Sequence, residues 1–228
     1  MRVEIWSDVV CPWCYIGKRR FEHALERFDG ADDVEVTWRS FQLNPAHPRG
    51  LREAHDESLA RKLGTSIEQV HRLNDRVVSL AAAEGLDYHF ETYVTINTFD
   101  AHRVTHLAKS LGLGLPIHER LLRAQLVEGE ILDDPDTLVR LAAEVGVPEA
   151  QTRHVLATDA WAAEVNADIA EAHAIGVNGV PFFVIDRRYG ISGAQPADLF
   201  LQALETARRD AAIDAAGATG GPTGGATA

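Results

Sequence analysis

Cys11-Pro12-Trp13-Cys14 sets the only two cysteines of this 228-residue chain two residues apart, between a short apolar segment and an amphipathic one. Two intervening residues allow the sulfurs to close a small ring and reopen it. A chain that carries one such pair and no other cysteine uses it for chemistry rather than for stapling distant segments. The pair therefore demands a fold in which a strand runs into a helix at that turn.

The flanks supply both elements. Val3 and Ile5 alternate with Arg2 and Glu4, which predicts a strand over residues 2–7. Residues 12–28 read as a helix, with Cys14, Phe21, Leu25 and Phe28 on one stripe and Lys18, Arg19 and Arg20 on the solvated side. Residues 34–43 alternate again and predict a second strand, ended by Asn44-Pro45.

From there to about residue 157 the pattern is helical, with no strand signal. Ser66 and Gln69 form a capping-box pair, Asn97 is placed as the N-cap of a helix that stops near Gly112, and Pro135 follows Asp134 as a first-turn proline behind its cap. A helix over about 159–174 stops at Gly176, Pro181 to Asp186 reads as a buried strand, Ile191 to Ala194 returns as another, and a helix over about 197–209 closes the pattern. Removing the helical block leaves β-α-β-α-β-β-α, the order of the thioredoxin fold. The expected architecture is α/β: a thioredoxin-like domain from residues 1–43 and 158–213, an all-helical insertion after the second strand over 44–157, and a disordered tail of Ala, Gly, Thr and Pro over 214–228.

The formal charge of −12 argues against nucleic acid and anionic membrane surfaces, which need clustered Lys and Arg. No stretch reaches the roughly 20 apolar residues of a membrane span. Asp8 interrupts the N-terminal apolar run, and cleaving a leader there would remove the cysteine pair, so the expected compartment is the cytoplasm. In that compartment a CxxC pair is catalytic, redox-sensing or metal-binding rather than a lasting structural disulfide. Zinc would need a second ligand pair at knuckle spacing, and the ten histidines do not supply one. Neither a metal nor a bound cofactor is expected.

The chemistry follows from the position of Cys11. A thiolate, not a thiol, attacks a disulfide. Cys11 falls where the helix begins, and the unpaired N–H groups and dipole of a first turn favour a negative sulfur. Pro12 suits the first helical position, because it has no N–H to leave unpaired. Cys14 lies on the apolar stripe, which makes it the internal resolving thiol. Trp13 brings no charge to the turn, so the thiolate lacks the support that a protonated His there would give. Potentials of CxxC proteins span about −270 to −120 mV, so the motif sets the reaction type and leaves its direction open. Gly179-Val180-Pro181 before a buried strand suits a cis prolyl bond facing the CxxC turn, with the Val180 backbone available to an extended substrate.

Ser7-Asp8-Val9-Val10-Cys11-Pro12-Trp13-Cys14, Phe41-Gln42-Leu43-Asn44-Pro45, Asn97-Thr98-Phe99-Asp100-Ala101-His102-Arg103, Gly179-Val180-Pro181-Phe182-Phe183 and Gly193-Ala194-Gln195-Pro196 together resemble the DsbA family of thiol-disulfide oxidoreductases. Within it they are similar to the FrnE-like branch, the polyketide-biosynthesis dithiol-disulfide isomerases. The likeness covers about residues 1–210. It implies Cys11 as nucleophile, Cys14 as resolving thiol and Pro181 in the cis-proline place. Protein or small-molecule disulfides and thiols are the implied partners, with glutathione or another thiol pool resetting the pair. Pro12, Trp13, Val180 and Pro181 would meet the substrate. Asn97 and His102 are weaker candidates, since a helix cap and a packed or solvated histidine face explain them as well. Asp8 is expected to structure the turn, and Trp6, Trp38 and Trp161 to lie in the core. The alternative is a glutathione-dependent isomerase or transferase of the hydroxychromene-carboxylate isomerase or kappa type, whose active turn usually carries Ser in place of the Cys pair. The oligomeric state is left open.

Overall fold

The structure is a computed structural model that describes residues 1–219. Strand β1 (Arg2–Ser7) runs into helix α1 (Pro12–Glu26), and β2 (Glu35–Ser40) returns parallel to β1 with Val3 beside Val36 and Ile5 beside Trp38. Much later β5 (Phe182–Ile185) and β6 (Tyr189–Ser192) add an antiparallel hairpin, giving one four-stranded sheet in the order β2-β1-β5-β6. Central β1 is buried on both faces, as a strand flanked by helices must be. Helix α9 (Ala197–Thr219) packs beside α1 on one face, where Phe21, Phe183 and Phe200 meet with ring centroids 4.5 to 5.7 Å apart. Such aromatic contacts contribute beyond their buried area. Helix α8 (Ala162–Ala174) packs against β2.

Between β2 and α8 lie α2 (His55–Leu63), α3 (Ile67–Ala83), α4 (Phe99–Ser110), α5 (Gly114–Leu126), α6 (Pro135–Glu144) and α7 (Glu149–Ala157). Val104, Ile117, Leu121, Leu138, Leu141 and Val155 form the shared core of α4 to α7. The caps read from sequence hold at two starts: Ser66 Oγ accepts from Gln69 N–H at 3.3 Å, and Asp134 accepts from Thr137 N–H at 2.9 Å.

Several expectations need correction. The block is not purely helical: β3 (Glu53–Ala54) pairs antiparallel with β4 (Val94–Thr95) and ties the start of α2 to the approach of α4. Two-residue strands are too short to show alternation. The final helix does not stop near 209. It continues through residues 214–219, which were assigned to the disordered tail; Ala-rich sequence favours helix, and Arg188 pairs with Asp214 at 2.5 Å. The rest of that tail, residues 220–228, lies outside the described residues. Helix α8 starts at Ala162 rather than 159, because Trp161 takes a left-handed backbone (φ 64°) and the chain turns there. Buried Arg103 fills that corner, donating to the carbonyls of Val155, Thr158 and Ala160.

The basic trio of α1 is not solvated either. Lys18 is 6% exposed and bridges Glu22 and Glu119, and Arg19 also reaches Glu119, on α5. Arg20 binds Glu84 and the Ala194 carbonyl. The outer face of α1 is thus pinned to the helical block by charge.

Candidate active site

Cys11 is the N-cap residue of α1 and Pro12 its first helical residue. The turn before it closes on backbone bonds, Cys11 N–H to Asp8 O and Cys14 N–H to Cys11 O, each 3.0 Å. Cys11 is 3% exposed and Cys14 fully buried, and both are free thiols. Burial, reinforced by the adjacent Cys11 sulfur, pushes the Cys14 thiol well up; donation from Ser7 and the Asp8 N–H offsets this only in part. Cys14 is therefore held as a neutral thiol, while Cys11 stands at the helix mouth.

The Val180–Pro181 bond is cis, and the loop it ends lies over the pair: Cys11 Sγ–H donates to the Val180 carbonyl at 3.4 Å. Gly17 makes this approach possible. A Cβ at that position would stand 2.9 Å from Pro181 Cγ and 3.5 Å from Ala194 Cα. The pyrrolidine ring occupies the space that any other residue on this face of α1 would fill.

The carbonyls on either side of Cys11 are held from the helical block. Tyr88 Oη–H donates to Pro12 O at 2.7 Å, and Tyr93 Oη–H donates to Val10 O. Burial first, and then nearby negative groups, push both phenols up, so both remain donors. Asp8 joins the turn through its backbone carbonyl, while its carboxylate ties the turn to other segments: Oδ2 accepts from Leu43 N–H at 2.8 Å, and Oδ1 lies 3.3 Å from His102 Nε2.

A cleft of about 670 Å³ opens beside the turn. Cys11, Pro12, Trp13 and Val180 line it together with residues of α2 and α3. Trp13 is 38% exposed at its edge. Pro181 supports the wall from behind, against Gly17. Asn97 and His102 do not line the cleft. Asn97 is not the formal N-cap of α4, which is Thr98; its side chain accepts from Phe99 N–H at 2.9 Å and donates to His47 O at 2.6 Å. His102 reaches the cleft only through Asp8. His106, one turn on, pairs with Asp168 instead. Trp6 and Trp38 are buried, while Trp161 is half-buried.

Sequence reading missed Tyr88, Tyr93 and the α2–α3 wall. Tyrosine carries no pattern that announces a distant carbonyl partner. The wall has a structural mark: Leu63 and Leu73 stand 53% and 48% exposed on amphipathic helices.

A strand-to-helix turn with a free dithiol, a prolyl loop across it and a helical insertion over one side define a thioredoxin-fold oxidoreductase of the DsbA type. The chain belongs to the DSBA-like thioredoxin domain family, whose match spans residues 2–205. A probable DsbA oxidoreductase from Streptomyces coelicolor is similar at 45% identity and TM-score 0.88, with 91% of this chain and 89% of that one covered. An uncharacterized protein of Bacillus subtilis, YwbO, is 29% identical over 90% of this chain and 96% of its own length. The fold alone is shared with the cytosolic disulfide reductase DsbM of Pseudomonas aeruginosa, in a structure with GSH, at 20% identity and TM-score 0.64, covering 92% of this chain and all 100% of that one. The same holds for a 2-hydroxychromene-2-carboxylate isomerase at 15% identity and TM-score 0.69, covering 93% and 98%. Among the described residues no helix is long and apolar enough to cross a membrane.

Proposed function

We propose that the chain is a dithiol-disulfide oxidoreductase in which Cys11 is the nucleophile and Cys14 the resolving thiol. The observation that carries this reading is the asymmetry of the pair: one sulfur at a helix N-terminus on a cleft wall, the other fully buried beside it with its thiol form favoured. The Cys11 thiolate attacks one sulfur of a bound disulfide, forming the Cys11–substrate bond as the substrate S–S bond breaks and its other half leaves as a thiolate. Cys14 loses its proton to solvent or to the departing thiolate and attacks Cys11. The Cys11–Cys14 bond closes, and the second substrate thiol departs. Two electrons pass from the dithiol to the substrate; oxidation and isomerisation use the same steps in other orders. Glutathione or another thiol pool would return the pair to the dithiol, which suits a reducing, cytoplasmic setting.

Pro12 and Trp13 would guide the substrate at the turn, and the Val180 carbonyl, now held by the Cys11 thiol, is released when that sulfur ionises. The test is turnover of hydroxyethyl disulfide by the reduced chain. Cys11→Ser should abolish it, and Cys14→Ser should stop at a mixed disulfide visible by mass spectrometry. Normal turnover by Cys11→Ser would overturn the reading. The glutathione-dependent isomerase alternative requires instead that activity on an aromatic substrate survive the loss of Cys14.

A further inference from the structure

The cleft beside Cys11 carries information about what enters it. Its lining is largely apolar: Leu59 and Leu63 of α2, Leu73 and Val77 of α3, and Phe90 line it together with Trp13. Leu63 and Leu73 are left about half exposed there, and Trp13 more than a third. Its volume of about 670 Å³ falls within the roughly 300–1,000 Å³ of pockets that enclose small molecules. Cys11, which lines the cleft, is only 3% exposed, so a disulfide on a folded protein surface has poor access to the sulfur.

The charges are equally one-sided. In a chain of formal charge −12, the cleft is lined by two cations, Lys62 of α2 and Arg76 of α3. Neither is neutralised. Arg76 makes no hydrogen bond or ion pair to another described residue, and Lys62 only a long 3.4 Å bond to the Leu43 carbonyl. The single carboxylate among the lining residues, Asp8, is buried and committed to Leu43 N–H and His102. His55 lines the cleft too, with burial pushing its imidazole down, so it adds polarity rather than a third positive charge.

Resting on the dithiol reading above, we propose that the substrate of this site is a small disulfide with an apolar or aromatic body and a carboxylate, its anionic group between Lys62 and Arg76 and its S–S bond at Cys11. A protein disulfide would not suit so enclosed a cleft, and a small neutral one would leave Lys62 and Arg76 unused.

Two chromogenic aromatic disulfides separate these cases. Dithiobis(nitrobenzoate) carries carboxylates, and dithiodipyridine is neutral near neutral pH. Each accepts two electrons from the Cys11–Cys14 dithiol and releases two equivalents of coloured thiol. Since their leaving groups differ, the informative quantity is the ratio of their single-turnover rates within one protein, compared between proteins. Relative to wild type, Lys62→Ala and Arg76→Ala should each lower the anionic-to-neutral ratio about three- to tenfold, and Arg76→Glu should lower it further, because each removes or reverses a charge next to the bound carboxylate. Raising the salt concentration should lower the wild-type ratio toward that of the alanine variants. Arg209→Glu, on α9 and outside the cleft, changes the net charge as much as Arg76→Glu does and should leave the ratio within about twofold, since a distant exposed charge is screened. If the ratio ignores Lys62 and Arg76, or shifts as much with Arg209→Glu, the anionic substrate class is overturned while the dithiol reading stands. If wild type consumes neither probe, or Cys11→Ser consumes both at the wild-type rate, the dithiol reading fails and the substrate class falls with it.

Discussion

Gly17→Ala tests whether the prolyl loop and the dithiol helix must touch. Glycine inside a helix is worth about 1 kcal/mol less than alanine, so propensity alone predicts that the substitution stabilises the chain. The structure predicts the reverse. The new methyl carbon would lie 2.9 Å from Pro181 Cγ, against an optimal carbon–carbon separation of about 3.5–4.0 Å, so ring and helix must part by roughly 0.6–1 Å. Ala194 Cα, at 3.5 Å on the other side, removes one direction of escape. Overpacking of this kind costs about 1–3 kcal/mol, which cancels or exceeds the propensity gain. The expected net is a loss of about 0–2 kcal/mol in urea or thermal unfolding. Function should respond more sharply. The same displacement carries the Val180 carbonyl away from Cys11 Sγ, now 3.4 Å apart, and opens the substrate wall. Misplacement by about 1 Å can cost up to about a hundredfold in rate. We expect disulfide turnover to fall at least about tenfold, and further in Gly17→Val. A Gly17→Ala chain that is about 1 kcal/mol more stable and turns over normally would refute the argument that this contact sets the site.

Two further predictions concern the frame. Tyr88→Phe removes the 2.7 Å bond to Pro12 O and should cost about 1–2 kcal/mol in unfolding free energy, with faster amide exchange at the CxxC turn; unchanged exchange there would mean that the phenol does not hold the loop. Asp168 is held at about 2 against an ordinary 3.8: burial alone would raise it, but His106, the Ser40 N–H and the charge of Lys109 outweigh that. Its carboxylate therefore stabilises the fold fully above the unfolded value and loses that contribution, about 2 kcal/mol, as the pH falls through the folded one. Between about pH 5 and pH 2 wild type should lose that much more stability than Asp168→Asn, and parallel unfolding curves would contradict the assignment.

How much of this was legible beforehand follows from the range of each interaction. The sheet, the turn and the burial of Cys14 rest on local patterns: alternation in Val3 and Ile5, a proline at the first helical position, a cysteine on the apolar stripe. They were visible because each is decided within a few residues. The solvated reading of Lys18, Arg19 and Arg20 failed because their partners, Glu119 and Glu84, lie 64 to 101 positions away in sequence, and nothing in a helix pattern distinguishes a paired cation from a hydrated one. β3 and β4 were invisible for a different reason, since two residues cannot display a period. The end of α9 was hidden by composition: Ala and Gly together read as a tail, yet alanine alone is the strongest helix former. Asn97 lay between these cases. Its capping chemistry is right, but Asn97 stands one residue before the N-cap Thr98 and accepts from Phe99 N–H, the first residue of α4.

Tyr88 and Tyr93 grip the carbonyls on either side of Cys11 from outside the sheet domain that carries it. The reactive loop is in that sense a hinge pin shared by two halves of the molecule. A guest that shifts the segment carrying these two tyrosines would pull on the same two carbonyls, and so tune the sulfur's reactivity without ever touching it.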